Sequence, residues 1–359
     1  MNPLISPELH TLAEEFLWNA EHVFHGDSPL YEKLARRIVN DPEILALAAH
    51  TPPRQPPSNL LFASVHYLLL RGKDDPLAIF YPDLTRKPDT TDDPYPVFRA
   101  FCLEHADEII PLVETRRVQT NEVARCSFFF PAFTLIASRV HHEPLALIEV
   151  GSSAGLNLNW DRYAYDYGDD KLYGDTNSSI LLKCELRGAH RPSLPNGEYE
   201  FPRAASRVGV DIHPNDVNDD DAMRWLRALV WPEQLDRAER LQQAIALARE
   251  FPPRLLAGDA LELVPPLLAE IPPSAPVVLF HSFVLNQISS DARAQYYALL
   301  EQHSAERELF DVAVEPQEWP APLVLTTLYR GERAGATLAS CDYHGRWLEW
   351  MNRYNDASL

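Results

Sequence analysis

What the chain lacks narrows its class before any motif is read. Its four cysteines, Cys102, Cys126, Cys184 and Cys341, are scattered, and no Cys-x-x-Cys pair occurs. That spacing excludes a disulfide scaffold and a thiolate zinc site, and leaves buried free thiols as the expectation. No apolar run approaches the length of a membrane span. The first residues, Met-Asn-Pro-Leu-Ile-Ser-Pro-Glu, have neither the basic nor the apolar segment of a secretory signal. The expected setting is therefore the cytoplasm. No Lys/Arg-rich run offsets a formal net charge of −20. A surface that acidic repels phosphate backbones, so neither nucleic acid nor membrane is an expected partner.

What is present reads as a globular protein. Over 359 residues, 46% are hydrophobic and 23% charged, enough for one large or two ordinary domains. The first 140 residues place apolar side chains at helical spacing, as at Leu9, Leu12, Phe16 and Ala20, or Leu61, Val65 and Leu68. Pro-Pro pairs and an acidic loop over 81–96 break these runs. From Leu145 the pattern changes. Short β-rich runs at 145–150, 208–211, 254–259, 275–283, 310–315, 323–329 and 336–343 alternate with helical ones, the order of a parallel sheet wrapped by helices. Turn signals over 165–205 mark an inserted hairpin. The expectation is a helical cap domain over 1–140 and an α/β domain over 141–359, the last two strands pairing as an antiparallel hairpin.

Leu145-Ala-Leu-Ile-Glu-Val-Gly-Ser-Ser-Ala-Gly155 is the most informative stretch. An apolar run reaches a carboxylate, Glu149, then turns through two glycines into a segment that suits a helix. Gly151 and Gly155 let a ligand approach the backbone, and the helix start offers unpaired N–H groups. Three later strands also end in polar groups: Asp211, Gly258-Asp259 and His281-Ser282. Ligands of an open parallel sheet lie across the carboxyl ends of its strands, so these four ends are expected to converge.

The Glu149–Gly155 segment resembles the first motif of class I S-adenosylmethionine-dependent methyltransferases. That resemblance implies a Rossmann-like methyltransferase-type sheet below the all-helical domain, and methyl transfer to a small molecule. It implies that Glu149, Gly151, Ser153, Gly155, Asp211 and Asp259 hold S-adenosylmethionine. His281 would be the general base. The pattern departs from the motif at Ser153, where a glycine is usual, and at Asp211, which follows Gly155 after an unusually long gap. The whole chain also resembles the uncharacterised bacterial family called domain of unknown function 2332. The matching pieces include Ser28-Pro-Leu-Tyr31, Val118-Gln-Thr-Asn-Glu-Val123 with Arg125-Cys126, Val230-Trp-Pro-Glu233 and His344-Gly-Arg-Trp-Leu348.

Other readings compete. Gly151-x-Ser153-x-Gly155 also fits a serine-hydrolase nucleophile elbow, with Asp259 and then His281 or His344 in order. A non-catalytic, ligand-binding relative of the same fold is the third reading. Gln119, Asn121 and Arg125 are polar groups just before the α/β part, either a solvated helix start or the substrate-binding side of the pocket. Asp216, Asp219, Asp220 and Asp221 with His213 match no metal loop and read as a helix N-terminus. No metal is expected.

Overall fold

A computed structural model describes residues 7–315 and 319–351. Helices come first: α1 (Pro7–His22), α2 (Pro29–Ile38), α3 (Pro42–Ala48), α4 (Pro57–Leu70), α5 (Tyr95–Glu104), α6 (Ala106–Thr115) and α7 (Cys126–Arg139). After β1 (Leu145–Val150) come four short or peripheral strands, β2 (Ala164–Asp166), β3 (Leu172–Gly174), β4 (Leu181–Lys183) and β5 (Glu185–Arg187). The alternating part runs β6 (Ala204–Asp211), α8 (Asp220–Ala228), α9 (Leu235–Glu250), β7 (Arg254–Ala257), α10 (Ala260–Glu270), β8 (Val277–Ser282), α11 (Ser290–His303) and β9 (Leu309–Val314). Strands β10 (Ala321–Tyr329), β11 (Glu332–Cys341) and β12 (Trp347–Trp350) finish the described chain.

Two compact units result. One joins Met1–Thr120 to Asn218–Gln242, the other Asn121–Val217 to Gln243–Leu359. The division therefore falls at residue 120 rather than 140, and a distant segment returns to the helical unit. Packing explains both differences. Almost every residue of α7 is buried, and Phe129 and Phe133 set their rings 5.1 and 5.4 Å from Phe280 of β8, so α7 belongs with the sheet. The returning segment supplies Trp231, 5.3 Å from Phe24, and Glu233, whose carboxylate accepts from Ser28 Oγ (2.7 Å) and Leu30 N–H (2.7 Å).

Within the helical unit, Ser28 and Asp41 cap α2 and α3, each followed by proline at the first helical position. Helix α4 is apolar nearly all round and is its core. The acidic run ahead of α8 is a cap, as its composition suggests: Asp219 accepts the N–H groups of Asp221 and Ala222. No cluster of metal-binding side chains occurs among the described residues.

The second unit is built on a mixed, mostly parallel nine-stranded sheet of order β5-β12-β11-β10-β9-β8-β1-β6-β7. Its parallel core, β7-β6-β1-β8-β9, follows chain order third-second-first-fourth-fifth. The order reverses between β1 and β8, which opens a crevice at their carboxyl ends. Strands β10 and β11 form the anticipated antiparallel hairpin, and β12 adds a strand beyond it. The insert is more than a hairpin: β2 pairs antiparallel with β3 and parallel with β4, a separate three-stranded sheet. No helix among the described residues is long and apolar enough to cross a membrane.

Candidate functional site

Strand β1 is buried along its whole length and delivers the chain into the glycine turn at the crevice. Three turn residues take left-handed backbone, Gly151 (φ 72°), Ser153 (φ 51°) and Gly155 (φ 69°). A Cβ at Gly155 would lie 2.7 Å from Pro253 Cγ and 2.8 Å from Leu255 Cδ2, so conformation and space both require glycine. At Gly151 it would lie 2.2 Å from Val284 Cγ2. The side chain of Val284 thus covers the face of the turn that glycine leaves open. The turn's own N–H groups are held by the protein. Gly151 and Ser152 donate to Val210 O (2.8 and 3.3 Å), Ser153 to Asp211 Oδ2 (2.8 Å) and Leu156 to Asn121 Oδ1 (3.0 Å).

Glu149 is the exception to this self-sufficiency. Its carboxyl is 3% exposed, and Oε1 accepts from Asn157 Nδ2 at 3.1 Å. Oε2 is buried with no hydrogen-bond partner. Burial pushes this carboxyl well above its ordinary range, and the Asp211 charge adds to that push; Asn157 and Arg125 oppose it. Arg125 is itself buried, donating Nε to Tyr343 O (3.0 Å) and Nη1 to Ser282 Oγ (3.3 Å), with its guanidinium 4.0 Å from the Phe283 ring centre. It joins the end of β8 to the β11–β12 loop. The Cys126 thiol lies 3.5 Å from Asn157 Oδ1, and burial raises its pKa, so it stays a neutral thiol.

His281 has a different environment from the one a general base needs. It is 1% exposed, with Nδ1 2.7 Å from Glu315 Oε1 and Nε2 3.5 Å from Asp311 Oδ1. Burial alone would lower its pKa, but Asp311 and Glu315 outweigh burial and push it up to about 10. At neutral pH it is therefore an imidazolium, unable to accept a proton. Glu315 does more than pair with it. Its carboxylate also accepts the N–H groups of Val284 (2.9 Å) and Asn286 (2.9 Å), which fixes the segment carrying Val284. Burial works to raise the Glu315 carboxyl, and His281 with those N–H groups overrides it and holds the group below its ordinary value.

The family of uncharacterised proteins conserved in bacteria, DUF2332, matches residues 13–350. The chain belongs to that family. No curated protein and no solved structure matches it. The family's description names no activity, so function in this DUF2332 chain rests on the site alone.

Of the residues nominated from sequence, the structure gathers Glu149, Gly151, Ser153, Gly155, Asp211, Asn121 and Arg125 around the turn, and alters several of their roles. Asp211 accepts Ser153 N–H at Oδ2 and His213 N–H at Oδ1, both at 2.8 Å, and so braces the turn. Asn121 likewise holds the Leu156 N–H. Asp259 is exposed and caps α10 through Leu261 N–H (2.8 Å). Gln119 falls in the helical unit. Ser153 has the left-handed backbone of a nucleophile elbow, but its side chain is 2% exposed and Oγ accepts from Asn215 Nδ2 (3.1 Å). His281, nominated to activate it, is committed to two carboxylates. Sequence reasoning missed Asn157, Asp311 and Glu315. Asp311 and Glu315 did leave a signal, since they are acidic residues within and directly after the otherwise apolar run Leu309–Val314.

Proposed function

We propose that this protein is an S-adenosylmethionine-dependent methyltransferase acting on a small molecule, with a Rossmann-like sheet of the methyltransferase kind. The unpartnered Oε2 of Glu149 carries the reading. A buried carboxyl oxygen without a donor, beside a glycine turn at the point where strand order reverses, suits the ammonium of an amino-acid moiety. Bound there, the cofactor supplies an electrophilic methyl group on sulfonium. Glu149 would take the ammonium as a carboxylate, its proton leaving as the cation arrives. Gly151 and Gly155 would admit the ligand against the backbone, while Asp211 and Asn121 keep the turn rigid. Asp259, exposed just beyond β7, caps α10 through Oδ1 and would turn its other carboxylate oxygen to an exocyclic amine. Because His281 is held as a cation, the proposal extends to acceptors that arrive with a lone pair already free.

Val284 sets the condition for binding. Its methyl group lies over Gly151, so the Val284 side chain must turn aside before a ligand reaches the turn. Affinity is reduced by whatever fraction of molecules is closed. Titration calorimetry with S-adenosylmethionine and S-adenosylhomocysteine is expected to show saturable binding, several-fold tighter in Val284→Ala. Absence of binding in both proteins, each shown to be folded, would overturn the proposal. Gly151→Val is a poor substitute for this test. A valine there meets a left-handed backbone and the Val284 side chain together, so thermal unfolding should show a loss of about 1–3 kcal/mol from backbone strain alone.

A further inference from the structure

A second cleft, of about 470 Å³, opens where α11 faces the β10–β11 hairpin. Its size is that of a small-ligand site. Ser290, Arg293 and Tyr297 come from α11, and Thr326, Arg333 and Gly335 from the hairpin. The register explains how the floor forms. Thr326 pairs with Gly335 and Leu328 with Arg333, so Thr326, Gly335 and Arg333 share one face of the sheet. Gly335 leaves that face bare: an added Cβ would meet only Thr326 Oγ1, at 3.6 Å.

The lining is cationic in a chain of net charge −20, and no acidic side chain belongs to it. Arg293 donates Nη2 to Leu285 O (2.8 Å), and its Nε is buried with no hydrogen-bond partner. Arg333 pairs through Nε with Glu301 (3.1 Å) and lies 4.7 Å from the Tyr297 ring centre. Among the described residues its terminal nitrogens have no hydrogen-bond partner. Ser290, Thr326 and Tyr297 bring hydroxyl-bearing side chains to the same lining. Burial raises the pKa of Tyr297, which keeps its phenol a donor.

We infer that this cleft binds a small molecule carrying a phosphate or carboxylate group. The oxyanion is held between the Arg293 and Arg333 guanidinium groups, whose planar forks match such oxygens. The body of the ligand lies over Gly335 and against the Tyr297 ring. The site does not depend on what the glycine turn binds.

The test is titration of the full-length protein with pyrophosphate and, separately, with benzoate at constant ionic strength. The wild type is expected to bind at least one of them at a single site. Whichever binds more tightly names the group recognised. Arg333→Gln should weaken that binding by about tenfold or more, the scale of a lost charge-assisted hydrogen bond. Gly335→Val fills the floor without backbone strain and should weaken binding of the same anion by at least as much. Arg330→Gln, on the same hairpin outside the cleft, should bind as the wild type does. Binding unchanged in both Arg333→Gln and Gly335→Val, or no binding of either anion by the wild type, would overturn the inference.

Discussion

Replacing His281 with glutamine is expected to lower the unfolding free energy by about 3–5 kcal/mol at pH 6, the scale of breaking a buried ion pair. His281 lies buried with Glu315 on one ring nitrogen and Asp311 near the other, and Asp311 also accepts from Tyr296 OH at 2.8 Å. Remove the cation and two carboxylates remain with only neutral donors, Tyr296 OH and the Val284 and Asn286 N–H groups, to hold them. The pH dependence has a definite sign. The folded-state pKa of about 10 lies above the ordinary value of 6.5, so the stabilisation is complete below about pH 6.5. It is lost progressively as the pH rises through 10. Urea unfolding at pH 6, 8 and 10 checks this: the gap between wild type and His281→Gln should be widest at pH 6 and nearly closed above pH 10. A variant as stable as the wild type at pH 6 would mean that the pair is not the strut described here. The same substitution releases the Glu315 carboxylate from its cation, so the segment carrying Val284 should loosen with it.

The parallel core was legible because its physics is local. Runs such as Leu145–Val150 and Val277–Ser282 are fully apolar until their last residues, as strands buried on both faces must be. The turn at Gly151 and Gly155 was legible for the same reason, and the left-handed backbone found there is one that glycine adopts without strain. What polar groups bind was not. Asp211 reads correctly as a strand-end carboxylate, but its partner, Ser153 N–H, lies 58 residues earlier in the chain. No spacing rule connects them. Asn157 reads as one more polar residue after the turn, and only the fold brings it to Glu149. Strands β2 to β5 are three residues each, too short for an alternation to show. The return of 218–242 to the helical unit is invisible for another reason: an amphipathic helix announces that it has an apolar face, not which core receives it.

Glu149→Gln is expected to separate stability from ligand binding, in opposite directions. Burial raises the Glu149 carboxyl in the folded protein, so its favourable contribution is present only below the ordinary carboxyl pKa of 4.5 and is lost as the pH rises towards the folded-state value. Glutamine keeps the shape and an acceptor for Asn157 but has no proton to lose. The stability difference should therefore move in favour of Glu149→Gln with rising pH, by at most about 1.4 kcal/mol per pH unit. Unfolding at pH 5, 6.5 and 8 measures that slope, and a difference independent of pH would show that Glu149 is not the buried acid described. Binding of S-adenosylmethionine should fall by about tenfold or more, because the amide offers an ammonium no charge. The pairing of the two results is what discriminates. A buried carboxyl that weakens the fold at neutral pH, and that glutamine could replace at no structural loss, needs a ligand to explain it. Greater stability with lost binding assigns Glu149 to that ligand. Greater stability with unchanged binding would leave the strand-end carboxyl without a part in recognition, and with it the observation on which the methyltransferase reading stands.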